Sequence, residues 1–301
     1  MTMQTTEARP IWRDSALGAR RELALPAGAI DIFERGEGEP VVFVHGLLVN
    51  ANLWRRVVPR MAHEFHCVTI DLPFGSHRIS MPDADLDPPG LARLVIDTIE
   101  ALGLGPVTLV GNDTGGAICQ LVAAARPDLI ARLVLTSCDA YENFPPPRFG
   151  YLKLVARLPG GVATLGAALR IPAVRRLPLA FGALSKRALA REAIDSYALP
   201  AGVARDIRAD LRRVLRGLDR RHTIAAAKAF TTFGRPVLLA WSTEDPLFPT
   251  RYAHRLAGDF RDARIEWIPG AGTLSPEDQP ALVATAIAMF VSRTRTAEDA
   301  R

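Results

Sequence analysis

Gly111-Asn112-Asp113-Thr114-Gly115 sets a carboxylate between two glycines, after the apolar run Val107-Thr108-Leu109-Val110 and before a helix-like stretch from Gly116 to Ala125. A strand-to-helix turn of the pattern Gly-x-nucleophile-x-Gly is strained and lifts one side chain above the edge of a sheet. A Ser in that place would point to acyl transfer. Asp113 points instead to attack of a carboxylate on an sp³ carbon, through an ester intermediate. The bland alternative is an Asx-type turn residue with no chemistry.

The elements that would position Asp113 are legible on both sides of it. Strand-like segments are read at 29–34, 41–44, 67–70, 108–110, 133–136, 237–241 and 265–268, with helices at 52–61, 91–102, 116–125, 251–256 and 280–291. Short apolar runs alternating with amphipathic helices predict a mainly parallel sheet covered on both faces. Ligands of such sheets lie at the carboxyl ends of the strands, where Asp113 falls. From Tyr141 to His222 the texture changes. The stretch opens on Pro145-Pro146-Pro147, carries Gly160-Gly161, and is otherwise helix-like and rich in Ala, Leu and Arg. The expected organisation is a core of residues 1–140 and 223–301 with a helical cap, 141–222, over the catalytic edge.

Composition narrows the classes. The chain has 301 residues, 49% hydrophobic and 23% charged, enough for a buried core. No run of about 18 apolar residues suggests a membrane span, and the N-terminus lacks a signal-peptide pattern, so a cytoplasmic location is expected. Cys67, Cys119 and Cys138 lie in apolar runs without metal-like spacing and read as buried thiols. The net charge is +5, and only three of the basic residues are Lys. Sixteen Lys and Arg against five Asp and Glu fall between Arg148 and His222, so the charge is concentrated in the cap. Neither interleaved aromatics nor a binding motif accompanies it, which argues against nucleic acid as a partner. A small molecule is the expected partner, with no cofactor and no metal, and a homodimer stays open.

Four segments together resemble the α/β-hydrolase superfamily: His45-Gly46 with Trp54, Asp71-Leu72-Pro73-Phe74-Gly75-Ser76, the Gly111–Gly115 turn, and Trp241-Ser242-Thr243-Glu244-Asp245-Pro246. The resemblance spans about 29–291 apart from most of the cap. It implies an α/β-hydrolase fold with the cap inserted after the sixth strand. With Asp at the elbow it is nearest to the epoxide hydrolase and haloalkane dehalogenase branch. It then implies Asp113 as nucleophile, the Leu47 and Thr114 N–H groups as oxyanion hole, and Asp245 as the acid that orients a His. His45 belongs to the segment beside the substrate. The halide-holding Trp and Asn of dehalogenases are replaced by Thr114 and Leu47, which favours epoxides. Epoxide opening uses lid tyrosines, for which Tyr151 and Tyr197 are candidates, with Tyr141 at the lid entry.

The position that delivers the catalytic His in this family holds Thr273, within Pro269-Gly270-Ala271-Gly272-Thr273. A hydroxyl of ordinary pKa is a poor general base, whereas imidazole titrates near neutrality. Of the six histidines, His77 follows the Asp71 loop on the catalytic side and is the best substitute, ahead of His222. Asp139, just past the sixth strand, could assist a displaced base or share a proton with Asp113. The leading expectation is a hydrolase of epoxides or related electrophiles with a non-standard base. A cofactor-free lyase, isomerase or cyclase using Asp113 as acid–base is the first alternative. A non-catalytic binding member without the triad is the second.

Overall fold

The computed structural model describes residues 11–299. Eight strands form one sheet in the order β1-β2-β4-β3-β5-β6-β7-β8. They are β1 (Ala19–Leu25), β2 (Gly28–Arg35), β3 (Glu39–Val44), β4 (Phe65–Ile70), β5 (Val107–Asp113), β6 (Ile130–Cys138), β7 (Val237–Ser242) and β8 (Ala263–Ile268). From β4 to β8 all neighbours are parallel, while β1 and β2 add an antiparallel edge. This is the α/β-hydrolase fold.

Central strands are apolar throughout because both faces are covered. On β3, Val42 and Val44 enter one buried cluster and Val41 and Phe43 the other, following the two-residue period of a strand. The first cluster takes the helices Pro88–Ala101, Thr114–Ala125 and Thr250–Asp259. The second takes the helix Pro280–Asp299 and the short turns after β3. Asp87 caps the Pro88–Ala101 helix by accepting the Gly90 N–H at 2.9 Å, with proline in the first turn. The three cysteines are free and buried, and burial pushes the Cys67 thiol up to about 12.

Strand β1 was not expected. Its sequence, Ala-Arg-Arg-Glu-Leu-Ala-Leu, buries only Leu23 and Leu25, because an edge strand turns charged side chains to solvent and so lacks an apolar run. Between β6 and β7 the described residues form helices and turns without a strand pairing into the sheet. The main ones are Tyr151–Arg157, Gly161–Leu169, Arg191–Ala198, Arg205–Gly217 and Arg220–Ala227. The expected boundary at 222/223 falls inside the last of these, which packs against the Thr114–Ala125 helix of the core.

Candidate active site

Strand β5 is paired on both sides, by β3 and β6, and its last residue is Asp113. The helix Thr114–Ala125 begins at the very next residue, so the chain must reverse within Asp113 itself. Its φ of 54° and ψ of −131° are the result, a backbone state that costs roughly 1–3 kcal/mol and clusters at functional sites. Two glycines make the turn sterically feasible. A Cβ on Gly115 would lie 2.3 Å from the His45 carbonyl oxygen, and one on Gly46 would lie 2.1 Å from Asp113 Oδ2. Gly46 is therefore the seat of the carboxylate. Next along the chain, the Leu47 N–H donates to Asp113 Oδ2 at 3.0 Å.

Three carboxyl groups gather here from the ends of three strands. Burial raises the Asp113 carboxyl to about 7, opposed by the Thr114 and Leu47 N–H groups and reinforced by the charge of Asp245. Asp139 follows β6 and is fully buried. Burial and then the Asp113 charge hold it well above the carboxylate range, against one hydrogen bond from the Thr114 hydroxyl at 3.1 Å. Its Oδ1 has no partner among the described residues. Asp245 follows β7. Its Oδ1 accepts from Leu247 N–H at 2.8 Å, Phe248 N–H at 3.1 Å and the Thr273 hydroxyl at 2.8 Å. Burial nonetheless raises its pKa against these donors and the Ser137 side chain, and its Oδ2 has no hydrogen-bond partner within 3.5 Å among the described residues.

The loop after β8 is firmly held. Asn112 Nδ2 donates to the Thr273 carbonyl at 2.9 Å, Ser242 Oγ to that of Gly272 at 2.8 Å, and the Gly272 N–H to Asp278 at 2.9 Å. Thr273 thus meets Asp245, but as a hydrogen-bond donor to the acid. A hydroxyl is also a far weaker base than imidazole for taking a proton from water at Asp113.

A cavity of about 200 Å³ opens beside Asp113. Leu47, Leu48, Asp113, Thr114 and Tyr151 line it, together with Pro145, Phe149 and a leucine-rich wall from Leu165 to Leu184. Leu48 and Phe181 are cavity residues that sequence reasoning missed. Both lie in turns, where no side-chain period tells which way a residue points.

Several sequence candidates lie elsewhere. His77 is not brought to the cavity: its Nδ1 accepts the Gly75 N–H at 3.3 Å and its Nε2 meets Asp210 Oδ2 at 3.0 Å. Asp210, on the Arg205–Gly217 helix, also accepts the Met81 N–H at 2.8 Å, so the pair fastens that helix to the loop after β4. His45 is not in contact with the cavity either. Wholly buried, it bonds the Gly46 carbonyl at 2.9 Å and the Leu72 N–H at 3.0 Å, and burial depresses its pKa to about 4. It is a neutral splint for the loop. Tyr197 is buried away from the cavity, its hydroxyl donating to Glu277 at 2.8 Å. Tyr141 donates to Asp259 at 2.7 Å. Of the tyrosines proposed from sequence, Tyr151 alone lines the cavity, its hydroxyl donating to the Leu179 carbonyl at 2.6 Å.

Comparison with known proteins adds three kinds of similarity. Residues 41–286 match the model of the Alpha/beta hydrolase family. Haloalkane dehalogenase 2 of Mycobacterium tuberculosis is 27% identical over 264 residues, 86% of this chain and 90% of that one. The uncharacterized hydrolase YugF of Bacillus subtilis is 26% identical over 264 residues, 84% of this chain and 90% of that one. Among solved structures, the haloalkane dehalogenase DbeA of Bradyrhizobium elkani superposes with a TM-score of 0.77 at 21% identity, over 93% of this chain and 99% of that one, a likeness of fold.

Proposed function

This chain belongs to the alpha/beta hydrolase family, and from that premise we propose that it is a hydrolase opening epoxides or related apolar electrophiles through Asp113. One observation carries the reading. A carboxylate occupies the strained elbow, lines an apolar cavity, and has one oxygen held by the Leu47 N–H.

In the proposed reaction Asp113 Oδ1 attacks the electrophilic carbon, forming a C–O bond as the epoxide C–O bond breaks. The departing oxygen takes a proton from Tyr151, the cap hydroxyl in the cavity. Water then adds to the ester carbonyl carbon. The charge developing on Oδ2 rests on the Leu47 and Thr114 N–H groups, where a fixed donor is worth about 3 kcal/mol. Asp245 takes the proton from water and returns it to the substrate oxygen as the ester C–O bond breaks, and the acid proton left on Asp113 restores the Tyr151 hydroxyl. Burial raises the basicity of Asp245, and its Oδ2 has no hydrogen-bond partner among the described residues. A carboxylate remains a weaker base at neutral pH than imidazole, so ester cleavage is the slow step.

Alkyl halides belong in the test beside epoxides because the relatives include a haloalkane dehalogenase. Intact-protein mass spectrometry after incubation with both classes is expected to show one covalent adduct, absent from Asp113→Asn. Neither adduct nor product from any member of the panel would overturn the proposal.

A second reading rests on the raised Asp113 carboxyl beside the raised Asp139. Two such groups could move a proton between substrate carbons without an ester. A product of unchanged mass, free of oxygen from labelled water, would favour that reading.

A further inference from the structure

The residues from Leu169 to Arg187 form a wall with two unlike sides. Leu169, Leu177, Leu179 and Leu184 face the Asp113 cavity. Arg170, Arg176, Lys186 and Arg187 line an open groove of about 910 Å³, and Phe181 lines both spaces. Arg175 and Arg191 bring the groove to six cations; those two share the carboxylate of Asp195, and Lys186 is paired with Glu244 at 2.6 Å. Arg170, Arg176 and Arg187 have no acidic partner within 4 Å among the described residues. Concave clusters of one sign focus field and concentrate counter-ions.

The wall is anchored where the groove begins. Asp278 accepts from Ser185 Oγ at 2.6 Å and from the Lys186 and Arg187 N–H groups at 2.9 Å each. The Leu274 N–H, next to Thr273, donates to the Leu184 carbonyl at 2.8 Å. On the cavity side, Leu177 and Leu179 are more than half exposed, so apolar surface continues from the cavity to solvent. A negative group could not sit beside the Asp113 carboxylate without repulsion, but the groove would hold it.

We infer that the substrate is an amphipathic anion of the long-chain carboxylate type, its apolar chain in the Asp113 cavity and its charged end in the groove beyond Phe181. The inference rests on the cavity being the substrate site.

Isothermal titration calorimetry decides it with decanoate, decan-1-ol and inorganic phosphate, and with carboxylates of shorter chain. Decanoate is expected to bind more tightly than the alcohol, to weaken with salt, and to weaken about tenfold in the Arg170→Glu/Arg176→Glu double variant, while the alcohol is unaffected. Affinity should rise severalfold with each pair of methylenes. Bound decanoate should also slow alkylation of Asp113 by 1-bromohexane. Equal binding of acid and alcohol, indifference to the charge reversal, or phosphate binding as tightly as decanoate would each overturn the inference. So would decanoate binding that leaves alkylation unslowed. Should no electrophile alkylate Asp113, the nucleophile reading fails, while the calorimetry still decides the groove.

Discussion

Two of the buried clusters of ionisable groups in this molecule are built on opposite terms. At the elbow, Asp113, Asp139 and Asp245 converge with no cation among their hydrogen-bond partners, and burial raises all three. Away from the elbow, Glu277 receives both terminal Arg55 nitrogens, one at 2.9 Å, and the Tyr197 hydroxyl at 2.8 Å, and Arg55 also approaches Asp14. The second cluster compensates each charge it buries and serves packing. The first leaves two carboxylate oxygens without hydrogen-bond partners among the described residues, an arrangement that costs stability and that proteins tolerate where chemistry needs it.

The same contrast runs through the elbow site itself. Its nucleophile side is strained and desolvated, whereas its base side is relaxed, with three donors saturating one oxygen of Asp245. On the proposed mechanism, such a site would keep the power to form an ester and lose most of the power to cleave it.

Substitutions can break the contrast from either side. The largest effect is expected from Thr273→His. An imidazole bonded to Asp245 would supply the missing base, and steady-state hydrolysis should rise by about 10²–10⁴-fold, measured as product release with loss of the mass adduct. An unchanged rate would show that something besides the base limits the reaction.

Next in size is Glu277→Ala. It strands the buried Arg55 charge and should cost about 3 kcal/mol in urea unfolding, while the folded variant still alkylates at Asp113. A loss of alkylation without a loss of stability would reverse the roles given to the two clusters.

The alkylation rate of the wild-type protein should climb with pH and level off above about 7, as the Asp113 carboxylate forms. A profile flat from pH 5 to 9 would contradict the raised carboxyl.

The smallest effect concerns stability. A carboxyl raised by folding stays protonated in the folded state after the unfolded chain has released its proton. Stability therefore falls as pH rises from the ordinary carboxylate range to about 7. Asp113→Asn removes that penalty and should be more stable than the wild type at pH 8 but little changed at pH 4, by urea unfolding at the two pH values.

Much of this organisation was visible in the chain. Strands β2 to β8 announce themselves as apolar runs, and the elbow is a pattern of five adjacent residues. Strand β1 was hidden because its Arg20, Arg21 and Glu22 face water at the sheet edge. His77 and Tyr197 looked available for catalysis because their partners are remote: Asp210 is 133 residues from the former and Glu277 is 80 from the latter.

The sequence by itself determined the sheet, the turn that lifts Asp113, and the absence of a His after β8. Each depends on side-chain period or turn chemistry within a few residues. Tertiary structure alone decided which carboxyls share a site, that Thr273 caps Asp245, and which tyrosine of the segment between β6 and β7 reaches the cavity. Those outcomes depend on desolvation and on hydrogen-bond partners delivered by distant segments, and neither is written in local spacing.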